Sequence, residues 1–199
     1  MMNPLAKQIL EYVAGFPEGT PIYAKALLHL GKRAAVDQAL ARLVRRGQLS
    51  RAARGLYLRP VETRFGRVLP EVHTVLEAVA AQSGEVFTPH NASAANVLGL
   101  TTQVPVRLIY LTSGRTRKLS FGRQLVELRH APHWQLSLAG RKAGTAIRAL
   151  AWLGPEHSRS RIKEIAKKLS PAELADLMAA RGGLPTWMAE RISGLVRHA

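Results

Sequence analysis

Cysteine is absent from all 199 residues. Without it there are no disulfides, no thiolate metal sites and no cysteine nucleophile, and the composition suits a reducing compartment. Long hydrophobic runs are missing as well. Nowhere do about 18 apolar residues follow one another, as a membrane-spanning helix requires. The opening MMNPLAKQILEYVAGFPEG also lacks the basic stretch and apolar run of an export signal. The expectation is a cytoplasmic protein that does not engage a membrane. Acidic residues are scarce, 13 Asp and Glu against 29 Lys and Arg. Neither a Gly-rich phosphate loop nor a G-x-S-x-G elbow occurs.

The shortage of acids bears directly on catalysis. A metal-dependent nuclease draws on two or three carboxylates and a lysine, yet Glu85 and Glu127 are the only acids between residues 85 and 130, and no lysine follows either at short range. His130 and His133 have a ligand-like gap, but they bracket Pro132 with no third ligand at a recognisable spacing. A structural role is the expectation for both. Ser93 lies near His90, but neighbours in sequence are not a triad, and a helix cap accounts for His90, Asn91 and Ser93. The chain therefore reads as a non-enzyme with no catalytic residue, no cofactor and no metal.

What is abundant is positive charge. The net charge is +16; self-repulsion brings an isolated protein nothing, whereas binding a polyanion releases counterions. Nucleic acid is the leading partner, with a membrane surface or an acidic protein behind it. Up to Pro60 there are 10 basic and 3 acidic residues, and after it 19 and 10. Both parts are positive, the first more densely. With 47% hydrophobic and 21% charged residues the chain should fold, and its length suits two modest domains, here residues 1–68 and 69–199.

In the first sixty residues the apolar pattern is helical. Asn3 reads as a cap and Pro4 as a first helical position, followed by Leu5, Ile9, Tyr12, Val13 and Phe16 on one stripe. Thr20 and Pro21 repeat the start signal for a short second helix through Ile22, Ala26, Leu27 and Leu30, which stops at Gly31. Val36, Leu40, Leu43 and Val44 form the stripe of a third helix running to Arg46, with Gly47 as its C-terminal cap. Leu49 then opens a strand, Ala52 to Gly55 is its turn, and Leu56, Tyr57 and Leu58 return before Pro60 ends the pairing. Three helices and a hairpin make a winged helix-turn-helix.

The stretch from Gly31 to Pro60 carries eight basic residues and one acid. With Leu40 facing the core, a step of about 100° per residue sends Ala34, Ala35, Gln38, Arg42 and Arg45 to the opposite side. Small residues at the start of that face let a helix approach a groove. Gln38 suits an adenine edge, and arginine suits guanine or phosphate. Lys32 and Arg33 sit at the helix start, while Arg51 and Arg54 flank the hairpin turn, from which a wing reaches backbone or minor groove. Asp37 is out of place beside phosphate, so it either accepts from a cytosine amino group or pairs with Arg33 or Arg42. A solvated helix face and hairpin is the competing reading of the same charges.

Beyond the wing, Glu71 to Gln82 reads as an amphipathic helix through Val72, Val75, Leu76 and Val79, closed by Gly84. Glu85 to Thr88 is a short strand, Ala92 to Leu98 a helix, and Val106 to Thr112 a buried apolar strand. SGRTRKLSFGR, Ser113 to Arg123, is a basic loop or hairpin that holds Arg115, Arg117, Lys118 and Arg123. It is a second possible basic site for DNA or an acidic partner, and a plain exposed hairpin explains it equally well. A further strand, LVELRHAP, and a helix from Ala143 to Leu153 follow. Ser170, Pro171 and Glu173 form a capping box for a helix ending at Gly182 and Gly183, and Pro185 opens the last one. The fold class is α+β: an N-terminal winged helix-turn-helix, then a mixed α/β domain with a helical tail.

The segments ALARLVRRGQLSRAARGLYLRP and TPHNASAANVLGLTTQVPVRLIYLTSGRTRKLSFGRQLVELRHAP resemble the AbiEi family of antitoxins from prokaryotic type IV toxin-antitoxin systems. The second is the more telling, with AAN, LGLTTQ, a Tyr-Leu-Thr strand and a strand ending in His130. The resemblance implies an N-terminal domain that represses its own operon by binding inverted repeats in double-stranded DNA. It also implies a C-terminal domain that counters a cognate nucleotidyltransferase toxin, directly or indirectly. The family's recognition-helix and wing roles would fall on Arg33, Gln38, Arg42, Arg51 and Arg54. A winged-helix regulator unconnected with any toxin is the alternative, and a nucleic-acid-processing enzyme stands behind both.

Overall fold

A computed structural model describes residues 4–64, 66–103 and 106–195. By contact the chain divides into two compact units. One runs to Glu85 and includes Lys118–Val126; the other comprises Val86–Arg117 and continues from Glu127. The fold is α+β, with a winged-helix arrangement at the N-terminal side, then a mixed sheet and long helices.

In the first unit, α1 (Pro4–Ala14) buries Ala6, Ile9 and Val13. The cap expected at Asn3 lies outside the described residues. Tyr12, assigned to the buried stripe, is instead 39% exposed and stacks edge-on with Phe16 and His29. The second helix is corrected too. Ile22–Tyr23 form a strand, β1, and only Ala24–Leu27 coil, as a 3₁₀ turn. β-branched Ile22 gains more from pairing with the wing than from one weak helical turn. Helix α2 (Arg33–Arg45) turns Val36, Ala39, Leu40 and Leu43 into the core. The Gly47 and Gln48 amides donate back to the Val44 and Leu43 carbonyls and end it.

Strands β2 (Ser50–Ala53) and β3 (Leu56–Leu58) form the wing, in a three-stranded antiparallel sheet of order β1-β3-β2. The turn is tighter than expected: Ala52 is buried in the strand, and only Arg54 and Gly55 make the reversal. Gly55 has φ +74, a left-handed conformation that an L side chain strains to adopt. Its carbonyl accepts from the Ala24 amide at 2.9 Å, which ties the wing to the 3₁₀ turn. Residues past Pro60, left unassigned from the sequence, form a second hairpin of β4 (Val61–Thr63) and β5 (Gly66–Val68). Helix α3 (Val72–Ser83) then buries Val75, Leu76 and Val79 and is closed by Gly84.

In the second unit, β6 (Phe87–Pro89) pairs antiparallel with β7 (Leu108–Thr112) on either side of α4 (Asn91–Val97). The strand placed from Val106 starts two residues later, and Val106 is fully exposed. The basic stretch is a hairpin, β8 (Arg117–Phe121) returning as β9 (Gln124–His130), whose tip, Lys118–Val126, belongs to the first unit. The sheet order is β6-β7-β9-β8.

A short α5 (His133–Leu136) leads into α6 (Lys142–Lys167), whose path is broken at Gly154, φ 70 and ψ 177, before Pro155. The helix placed at 143–153 is thus its first half. The second half went unseen because a Gly-Pro pair reads as a stop. The expected capping box holds: the Ser170 amide donates to Glu173 Oε2 at 2.7 Å and the Glu173 amide to Ser170 Oγ at 3.3 Å. It opens α7 (Pro171–Ala180), and α8 (Thr186–Gly194) follows. Ala95, Ile147, Leu150, Ile165, Leu177 and Met188 anchor this core. Gly144 is required there, because a Cβ would land on the Leu138 carbonyl.

Candidate nucleic-acid interface

Burial of Val36, Leu40 and Leu43 fixes the roll of α2, so its other face is set by geometry. Ala34, Ala35, Gln38, Arg42 and Arg45 are all exposed, as the helical wheel requires. That face begins small and becomes cationic within about two turns. Lys32 caps the N-terminus without a side-chain hydrogen bond, and no acid occupies the first turn. Two cations at the positive end of a helix dipole are electrostatically misplaced for folding alone, and they suit an anion approaching that end.

Asp37 resolves to one of its expected partners. Arg33 Nε lies 2.8 Å from Asp37 Oδ2, one helical turn on, with both side chains about half exposed. Gln38, Arg42 and Arg45 form no side-chain hydrogen bond or ion pair among the described residues. On the wing, Arg51 and Arg54 are exposed and separated by the buried Ala52. Arg42 and Arg45 lie in the last turn, where the helix dipole favours cations regardless of any ligand.

The second basic site is not uniform. Arg115, Lys118 and Arg123 are exposed, but Arg117 is half-buried. Its guanidinium sits 5.7 Å from the centre of the Phe87 ring, and Nη1 donates to the Arg115 carbonyl at 3.2 Å.

Several of the residues weighed for catalysis have structural partners, though of the three read as a cap only His90 makes one. His90 caps α4, its Nδ1 accepting from the Ala92 amide at 3.4 Å. Burial lowers its pKa, the Arg129 charge lowers it further, and Glu127 opposes both; a neutral ring is the form that can accept. Glu127 is paired with Arg129, 2.8 Å from Nε to Oε1. His130 Nδ1 lies 2.9 Å from the Gly114 carbonyl, and His133 is exposed at the start of α5. Among the described residues no group of three or more His, Cys, Asp or Glu side chains is placed to hold a metal. No helix among them is long and apolar enough to cross a membrane.

The motif AAN followed by LGLTTQ has a visible purpose. Asn96 Nδ2 donates to the carbonyls of Thr101 and Gln103 at 3.2 and 3.1 Å, so one amide clamps the loop that leaves α4. Residues 8–174 match the model of a family of unknown function, DUF6088. The chain belongs to that family. No curated protein matches it in sequence. In fold this DUF6088 chain is similar to the crystal structure of the RV2827C protein from Mycobacterium tuberculosis, with a TM-score of 0.50 at 17% identity, over 99% of this chain and 78% of that one.

Two charged features escaped the sequence reading. The β4–β5 hairpin carries Arg64 and Arg67 with no hydrophobic alternation strong enough to mark strands. Arg148 is 1% exposed within α6, where Nη1 donates to the Gln135 carbonyl at 3.3 Å and Nε has no hydrogen-bond partner. Burial lowers its pKa to about 10. The apolar run AIRALAWL shows the helix, but nothing in it signals that the arginine turns inward.

Proposed function

We propose that this protein is a DNA-binding antitoxin and autorepressor of the AbiEi type. In this reading the winged helix holds double-stranded operator repeats, and the second unit counters a cognate nucleotidyltransferase toxin, directly or indirectly. It acts in the cytoplasm, where its DNA is, and it is not an enzyme and needs no cofactor. The observation that carries the DNA reading is the outward face of α2. Gln38, Arg42 and Arg45 stand there exposed and uncommitted, flanked by Lys32 and Arg33 at the helix start and by Arg51 and Arg54 on the wing. In a chain of net charge +16, that combination favours phosphate and base edges over solvent. The toxin partnership rests on the resemblance in residues 88–132, where the clamped AAN and LGLTTQ loop lies.

The roles divide by chemistry. Gln38 and Arg42 read base edges, while Lys32, Arg33, Arg45, Arg51 and Arg54 hold phosphates. Gel shifts on the region upstream of the gene and on random duplex test this. Gln38→Ala or Arg42→Ala should cost about 1 to 3 kcal/mol on the specific duplex and relax its sequence preference, whereas Arg54→Ala should weaken both duplexes alike. Equal affinity of the unaltered protein for both duplexes would remove operator repression. Co-expression with a nucleotidyltransferase encoded beside the gene tests the second half. Failure to restore growth leaves a winged-helix regulator with no toxin to counter.

A further inference from the structure

The β4–β5 hairpin is hard to explain as scaffold. It follows the wing after only Arg59 and Pro60, and every described residue from Glu62 to Val68 is exposed. A lone two-stranded hairpin is marginal in water, and among its described residues Val68, the one large apolar side chain past Val61, is 45% exposed. Its root is held, with Arg59 Nη2 donating to the Phe16 carbonyl at 3.3 Å. Arg64 in the turn and Arg67 on β5 are both exposed, and Arg67 Nε is paired to Glu62 on the opposite strand. Both partners of that pair are more than half exposed. Such a pair contributes little to stability and exchanges readily.

A second hairpin reaches the same place. The turn between β8 and β9 belongs to the same compact unit, and a Cβ on Gly122 would stand 3.5 Å from Leu69 Cδ1. Leu69 directly follows β5, so the exposed Arg123, next to Gly122, sits at the ribbon's root. Exposed Lys118 is four residues back along β8, within about 14 Å by chain length. Residues some fifty positions apart in sequence thus contribute four exposed cations to the ribbon and to the turn at its root.

We propose that the β4–β5 ribbon and the β8–β9 turn form an auxiliary phosphate grip, through Arg64, Arg67, Lys118 and Arg123, on duplex DNA flanking the base pairs met by α2 and the wing. The inference rests on the DNA-binding reading above and extends it. The wing tip at Arg54 and the ribbon's first residue are seven positions apart, at most about 25 Å, so a duplex held by one lies within reach of the other. Cations on short, exposed hairpins suit repeating phosphates, which ask for charge and no shaped pocket. The grip adds affinity and length of contact without adding sequence preference. Glu62 restrains it by occupying Arg67.

The test uses the full chain, the upstream duplex and a random duplex, with affinity measured from about 50 to 200 mM salt and hydroxyl-radical footprints. For the Arg67→Gln, Arg123→Gln double variant, the slope of log affinity against log salt should fall by roughly 2, since each phosphate contact contributes about 0.9. Protection should shorten on one side only, and the ratio between duplexes should stay as it was. The Arg67→Lys, Arg123→Lys variant should keep the original slope, and Glu62→Gln should tighten binding to both duplexes. An unchanged slope and footprint in the first variant, with the unaltered protein binding normally, overturns the grip and leaves the DNA reading standing. Release of an acidic protein partner by that variant, with duplex binding intact, also overturns it. If the unaltered protein binds neither duplex, both readings fall.

Discussion

Asp37 offers the sharpest test of how α2 meets DNA, because its two sequence-level roles predict opposite signs. Its carboxylate is bound to Arg33 at 2.8 Å, one turn away, on an exposed face. Asp37→Asn removes an exposed pair of the i, i+4 type, worth about 0.3 to 0.5 kcal/mol, so the melting temperature should drop by only about 1 to 2 °C. Binding should move the other way. A carboxylate facing phosphate costs about 1 kcal/mol at 4 Å in water, less beyond a screening length of about 8 Å. Freeing Arg33 adds a phosphate contact. Affinity for the upstream and the random duplex should both rise, up to about fivefold at low salt, and the salt slope should steepen by about 0.9. Fluorescence anisotropy titrations at several salt concentrations read all three quantities. If the upstream duplex weakens by about 1 to 3 kcal/mol while the random one does not, Asp37 reads a cytosine amino group, and the assignment of Arg33 as its functional partner is wrong.

Other outcomes follow from the second unit. Gly144→Ala pushes a methyl group into the Leu138 carbonyl and should cost about 1 to 3 kcal/mol; a thermal melt indistinguishable from that of the unaltered chain would show that the turn before α6 yields freely. Arg148→Met removes a buried charge that has no acidic partner among the described residues while keeping its apolar stem, and should be neutral or stabilising by about 1 to 3 kcal/mol. A strong loss in urea denaturation would reveal an anion near Arg148. The pKa of His90 is lowered in the fold by burial and by Arg129, so the unfolded chain binds the proton more tightly. Its contribution to stability is full above the ordinary histidine value and is lost as pH falls from there through the lowered folded value. His90→Asn keeps an acceptor for the Ala92 amide and should flatten that part of the stability profile. An equally steep profile in the variant would move the titration to another group.

Much of this protein can be read along the chain, wherever the deciding interactions are local. The stripe of Val36, Leu40 and Leu43 fixed which side of α2 turns outward, and the exposed Gln38, Arg42 and Arg45 follow from the helical repeat alone. Gly84, His90 and the Ser170 and Glu173 box marked helix ends correctly because caps are made by neighbours. The absence of cysteine excludes thiol chemistry by composition alone. Tertiary structure decided whatever depended on distant partners. Ile22 became a strand because β3 offers it Tyr57. Arg148 turned inward because α5 supplies a carbonyl. Helix α3 and the tip of the β8–β9 hairpin belong to the N-terminal unit through contacts between residues far apart in sequence, which no local motif announces. The ribbon beside the wing belongs to the same class: its short strands carry too little alternation to show in sequence, and only pairing across the turn gives them form.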